Sequence, residues 1–162
     1  MVMVTGWPVA IFPIVFGVLY LDMALQKALW KNYGWLEGWL RQEIAHPTFG
    51  WYTAFLRDVV FPHFEVFGML TFATEMALGV AFVSGTLTGF AGVAGALWQL
   101  NIAAGAFSVP GEWYWVWPLL ILPQLVFAAS GAGRILGGDA ALRRIGGDTP
   151  PRAWLLVRRV MT

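Results

Sequence analysis

The sequence predicts an all-α integral membrane protein, a four-transmembrane-helix bundle with two amphipathic interfacial helices in its first, outer loop. Three observations predict it. Of 162 residues, 59% are hydrophobic and only 12% charged, about half the charged share of a soluble domain. Four apolar segments approach or exceed the roughly 20 residues a transmembrane helix needs. Between the first two lies a segment whose Trp, Leu and Phe residues recur at helical spacing against a charged opposite face.

The first span covers residues 7–30, with Asp22, Gln26 and Lys27 near its far end. No cleavable signal peptide is expected there, since no basic region precedes the apolar stretch and that stretch is too long. In the outer loop, Trp35, Leu36, Trp39, Leu40 and Ile44 form one stripe opposite Glu37, Arg41, Gln42 and Glu43, which predicts a helix over 33–45. Glu37 and Arg41 are a favourable i,i+4 pair. Trp51, Tyr52, Phe55, Leu56, Val59 and Val60 form a second stripe over 48–61, with Pro47 and Pro62 at its ends. Aromatic amphipathic helices suit a membrane interface. They fit a simple cap over the bundle, a lid over an outward-opening cavity, or a platform for a partner.

The second span, 63–84, carries Glu65 at its rim and Glu75 inside. The third, 88–109, is uncharged and rich in small residues (Gly85, Gly89, Gly92, Ala96, Ala103, Ala104, Gly105), which permit close helix contact. The fourth, 113–133, is interrupted by Pro118 and Pro123, each of which removes a backbone donor. The spans make one domain, 1–135, and 136–162 is a basic tail. Arg134, Arg143, Arg144, Arg152, Arg158 and Arg159 outweigh Asp139 and Asp148 there, whereas Lys31, Arg41 and Arg57 in the first loop are offset by Glu37, Glu43 and Asp58. The positive-inside rule places the tail in the cytoplasm. Four spans put both termini there, and the expected location is the inner (plasma) membrane. Membrane lipid is a partner on this reading. The net charge of +1 and the lack of a basic stripe through the body argue against nucleic acid.

Ionisable groups within a span point to function. At about 1.5 Å of rise per residue, Asp22 lies ~12 Å and Lys27 ~5 Å from the Trp30 end of the first span. Glu75, Gln99, Asn101 and Gln124 lie ~12 to 18 Å from the outer ends of theirs. Each span thus contributes to one polar layer. Two readings fit it: an interhelical hydrogen-bond network, or a polar pocket that takes a quinone head group or conducts a proton. Lys27 is close enough to the interface to snorkel. Gln99 and Asn101, about 200° apart on the helix, cannot both point inward. A kink at Pro123 would widen the bundle beside Gln124.

The sequence has no cysteine, which removes disulfides, thiolate metal sites and catalytic thiols. His46 and His63 are its only histidines and belong to the outer loop or its edge. Facing intramembrane haem ligands are therefore not expected, and His46, His63 and Glu65 lack metal-site spacing. No phosphate loop, dinucleotide fingerprint or nucleophile elbow occurs.

Across residues 15–140 the chain resembles the DoxX/DoxD family, closest to the DoxD subunit of thiosulfate:quinone oxidoreductase. Gly17 and Lys27 fit the opening helix. His46-Pro47, Trp51-Tyr52, Phe55-Leu56, Val60 and Pro62 look like the outer segment. Glu75, Gly79, Gly85 and Thr88 match a Glu–Gly–Gly–Thr pattern, and Leu100-Asn101 a Leu-Asn pair. Asp22 and the Arg-rich tail depart from the pattern. The resemblance implies a quinone-linked subunit acting with a partner subunit. Glu75 would handle protons and Asp22 would tune it, while Asn101, Gln124 and Lys27 would contact the quinone. The competing expectation is a non-catalytic accessory subunit of a larger respiratory or photosynthetic complex.

Overall fold

A computed structural model describes residues 7–27, 32–130, 133 and 137–140, with the side chains of residues 7–9 left aside. Trp30, Lys31, Arg134 and the arginines after Ala140 lie outside the described residues. Every regular element among the described residues is helical. They are α1 (Trp7–Gln26), α2 (Gly34–Ala45), α3 (Gly50–Phe55), α4 (Phe64–Ser84), α5 (Thr88–Ala106) and α6 (Val116–Ser130).

Two antiparallel pairs, α1 with α4 and α5 with α6, make the bundle, while α4 and α5 touch sparsely. Glycine sets the first pair's closeness: a Cβ on Gly17 would lie 2.7 Å from the Val83 nitrogen and 2.9 Å from the Gly79 carbonyl oxygen. The small-residue stripe of α5 does the same for the second pair, where Gly92 faces the backbone of Gln124 and Ala128. At one end a tight turn joins α4 to α5, with Gly85 at φ 63° and Leu87 at φ 55°. Asp139 closes that turn. Its carboxylate accepts the Leu87 N–H (2.6 Å), the Thr88 N–H (3.0 Å) and the Thr88 hydroxyl. A buried side chain 51 residues away thereby caps α5, satisfying donors that a helix start leaves open. Bundle packing extends to Asp139, past the predicted boundary at 135.

At the opposite end α2 and α3 form a cap. Leu40, Tyr52, Leu56 and Val60 are its buried core, and Glu37 pairs with Arg41 at 2.6 Å. Pro62 does not separate a cap helix from a span, as the sequence suggested. The chain stays helical from Gly50 to Ser84 through a π-helical stretch, Leu56–Val60, and a 3₁₀ turn, Phe61–His63. Proline is tolerated at the first positions of a turn, where its missing N–H is no loss. This run is long and apolar enough to cross a membrane; α6 and the apolar part of α1 are shorter, and α5 carries Gln99 and Asn101.

Large apolar side chains cover the outside of the bundle as well as its core. Phe12, Val15 and Val18 on α1, Val66 and Met69 on α4, Phe90 and Val93 on α5, and Leu119, Leu122 and Val126 on α6 are all exposed. Glu75, Thr88, Gln99, Gln124 and Asp139 are buried.

Candidate functional site

A partly open cavity of about 660 Å³ lies between the cap and the bundle. Its walls are mainly apolar, with Leu36, Leu40 and Leu56 from the cap and Phe67, Ala94 and Leu120 from the bundle. The segment between α1 and α4 thus roofs a cavity. Exposed Leu70 of α4 and Leu97 of α5 line it on either side of their sparse seam.

Lys27 and Glu75 meet at this cavity. Lys27 Nζ is 2.5 Å from Glu75 Oε1, with the carboxylate side chain 0% exposed and the lysine side chain 21%. Lys27 also sits 5.4 Å from the centre of the Trp35 ring. Lysine therefore turns inward instead of snorkelling. Two attractions hold it: a carboxylate that would otherwise be buried unpaired, and an aromatic face.

Glu75 Oε1 takes the lysine, and the Trp98 indole N–H also reaches the carboxylate. The indole N–H groups of Trp35 and Trp117 have no partner among the described residues, and both residues line the same cavity as Glu75 and Trp98. Buried polar groups in folded proteins are nearly always satisfied. Two indoles with unpaired N–H groups and a buried ion pair thus surround one cavity.

The other predicted residues divide. Asp22 does not join the layer. It is exposed on α1 and accepts a hydrogen bond from Gln26 at 2.7 Å. The inward face of α1 runs through Phe16, Tyr20, Ala24 and Lys27, and Asp22 stands about 200° from Tyr20. Asn101 lines the cavity but is not the inward amide. Its Oδ1 accepts the Tyr52 hydroxyl at 3.0 Å, at the cap side. Gln99, which the resemblance gives no role, is the buried one. It donates to the Tyr20 hydroxyl at 3.3 Å, which itself donates to Gln124 Oε1 at 3.1 Å. Gln124 does not reach the cavity. Its amide donates to the Leu120 carbonyl at 2.7 Å, within the stretch that Pro123 disturbs. Tyr20, Gln99 and Gln124 thus form an interhelical hydrogen-bond network, and Gln99, Lys27 and Glu75 line the cavity.

Sequence reasoning missed Tyr20, the three cavity tryptophans, and Glu43. The Glu43 carboxyl group rests on Gly105 of α5, where a Cβ would lie 2.7 Å from its carbon. Glu43 and Glu112 both line the cavity. Burial, then the nearby Glu112 charge, pushes the Glu43 carboxyl up to about 7. A helical stripe gives no hint of this contact, because Glu43 lies on the predicted polar face of its helix. His46 and His63 do not converge with acids: no group of three potential metal ligands exists among the described residues. His63 Nδ1 lies 3.0 Å from the Val59 carbonyl oxygen.

No protein-family model, curated protein or solved structure matches this chain.

Proposed function

We propose that this chain is a four-span membrane subunit of a quinone-linked oxidoreductase, of the DoxX/DoxD type, and that the cavity under its cap takes the quinone. The observation that carries the reading is one largely apolar cavity lined by the Lys27–Glu75 pair and by Trp35, Trp98 and Trp117. Indole side chains from α2, α5 and α6 suit a flat ring that bears carbonyl oxygens. The volume lies within the range of small-molecule sites, about 300–1,000 Å³. When bound, a quinone supplies carbonyl chemistry that takes two electrons and two protons. Lys27 would hold a proton at the cavity wall, and the Glu75 carboxylate beside it could take one up. The electrons come from a partner subunit, since the chain has no cysteine and the described residues have no metal-ligand cluster.

The multi-pass reading draws on the exposed apolar faces and buried polar groups together. Exposed apolar surface on this scale requires a covering, and ionisable groups in lipid face the bundle interior. Helices α1, α4 and α5, with 20, 21 and 19 residues, are ~28 to 32 Å long, close to a bilayer core of about 30 Å. Helix α6 has 15 residues, ~22 Å, and the stacked Trp113–Trp115 pair precedes it, as an interfacial anchor would. With the tail inside, the cap and cavity face the outer leaflet of the plasma membrane.

Mass spectrometry of the chain purified in mild detergent from its native membrane tests the proposal. Retained quinone, reduced in Trp98→Phe and Trp117→Phe, is the expected result. Copurification with a large complex, no retained quinone and no binding of added quinone would make the chain an accessory subunit.

A further inference from the structure

The cavity has a second carboxyl group that the Lys27–Glu75 pair does not touch. Glu43 lines it from the cap, and its carboxyl group is seated on the Gly105 backbone. It has no ion-pair partner among the described residues, and the charged neighbour that acts on it is another acid, Glu112, in the link between α5 and α6. Tyr52 of α3 lies within its electrostatic reach, and the Tyr52 hydroxyl is already spent on the Asn101 carbonyl oxygens at 2.9 and 3.0 Å. Nothing on the three neighbouring elements therefore compensates a Glu43 charge. Glu75 lines the same cavity, its carboxylate held by Lys27 and 0% exposed. One cavity thus joins a buried carboxylate to a half-buried acid near the cap end.

Building on the quinone reading of the cavity, we propose that Glu43 is the group through which the cavity exchanges protons with the water outside it, binding one proton when an occupant closes over it. The physics is desolvation. An occupant between cap and bundle replaces water beside Glu43, and burial disfavours the charged carboxylate. Filling the cavity and protonating Glu43 then favour each other, by the same factor in either direction. The proton balance is one taken from water on filling and one returned on emptying.

The sign follows from the free cavity. Below about pH 7 Glu43 is already neutral, so affinity does not change with pH. Above that, the empty site has lost its proton and the filled site keeps it. Affinity falls with rising pH, by up to about tenfold per unit, until the filled site also ionises.

The test is binding of decylubiquinone to the full chain in lipid nanodiscs, followed by quenching of tryptophan fluorescence from about pH 5 to about pH 9. Wild type is expected to show the fall above neutrality. Glu43→Gln should bind with no such fall, and Glu43→Asp should restore it. In Gly105→Ala the new Cβ displaces a flexible side-chain end, so the protein still folds, Glu43 moves toward water, and the fall begins at lower pH. The same pH profile in wild type and Glu43→Gln overturns the proton role while leaving the quinone reading standing. Absence of saturable quenching at every pH overturns both.

Discussion

Replacing Lys27 with methionine should be among the most damaging single changes to stability. The substitution keeps the side chain's length and apolar stem and deletes the ammonium, leaving Glu75 buried with no ion-pair partner. Removing one partner of a buried pair costs about 3–5 kcal/mol. Lys27 is 21% exposed, so the pair is partly hydrated and the lower end, about 3 kcal/mol, applies. Glu75→Gln removes the opposite charge but leaves a lysine that reaches water, and should cost about 1 kcal/mol. The double variant Lys27→Met/Glu75→Gln has no buried charge left at this point. It should be more stable than Lys27→Met alone, with a coupling of about 2 kcal/mol. Reversible unfolding in mixed detergent micelles, followed by helical circular dichroism, measures all four corners. If Lys27→Met unfolds with wild-type stability, or the two changes simply add, the pair is not the one described and the electrostatic account of the cavity falls with it.

Further changes probe the rest of the molecule. Tyr20→Phe leaves Gln99 and Gln124 without their shared hydroxyl and should destabilise by about 1–3 kcal/mol, without shifting the pH profile of quinone binding. Asp139→Ala removes the cap of α5 at a cost of about 2 kcal/mol, read from the same unfolding curves; wild-type stability would mean that the capping contact does not form. Leu97→Trp narrows the α4–α5 seam, and should weaken binding of a long-tailed quinone while sparing a tailless one, as titrations of both would show. Because the chain has no cysteine, single cysteines at Gly38 in the cap and Thr86 in the turn report sidedness cleanly. A membrane-impermeant maleimide applied to intact cells should label the first and not the second, and labelling of both or only of Thr86 would break the proposed topology.

The helices were legible because their boundaries carry local signals: turn residues at 84–89 and 110–112, and tryptophan-rich stripes over the cap. Pro62 misled because proline ends a helix only where it costs a needed N–H, and the turn Phe61–His63 has no such need. The facing of each helix was harder. A helix apolar all round has no hydrophobic side to read, so only the polar residues remained, and on the first helix they disagreed. Asp22 and Lys27 point apart, and the tie is broken by Tyr20, Ala24 and Lys27 falling on one line. On the third span the stripe of small residues, Ala96, Ala103 and Ala106, shares its face with Gln99 and not with Asn101. That spacing was available in the sequence and outranks a short motif. Glu43 against Gly105 and Asp139 against Thr88 join segments 62 and 51 residues apart, and no local pattern announces such a meeting.

The choice between an oxidoreductase subunit and a packing subunit turns on where polar groups are left unsatisfied. A bundle that only packs has every reason to complete its hydrogen bonds, because an unpaired group in lipid costs several kcal/mol. Tyr20, Gln99, Gln124, Thr88 and Asp139 do so: each has a partner across helices. Among the described residues, the indole N–H groups of Trp35 and Trp117 are without a partner, and both residues line one cavity with Lys27, Glu75 and Trp98. A fold that completes its polar contacts elsewhere and keeps a buried ion pair and unpaired indoles around one space has given up stability there, and binding is what offsets such a cost. An accessory subunit would need a partner segment beneath the cap itself, since these residues line the cavity. The cavity's apolar walls and the seam between exposed Leu70 and Leu97 suit a hydrophobic small molecule better than a protein segment.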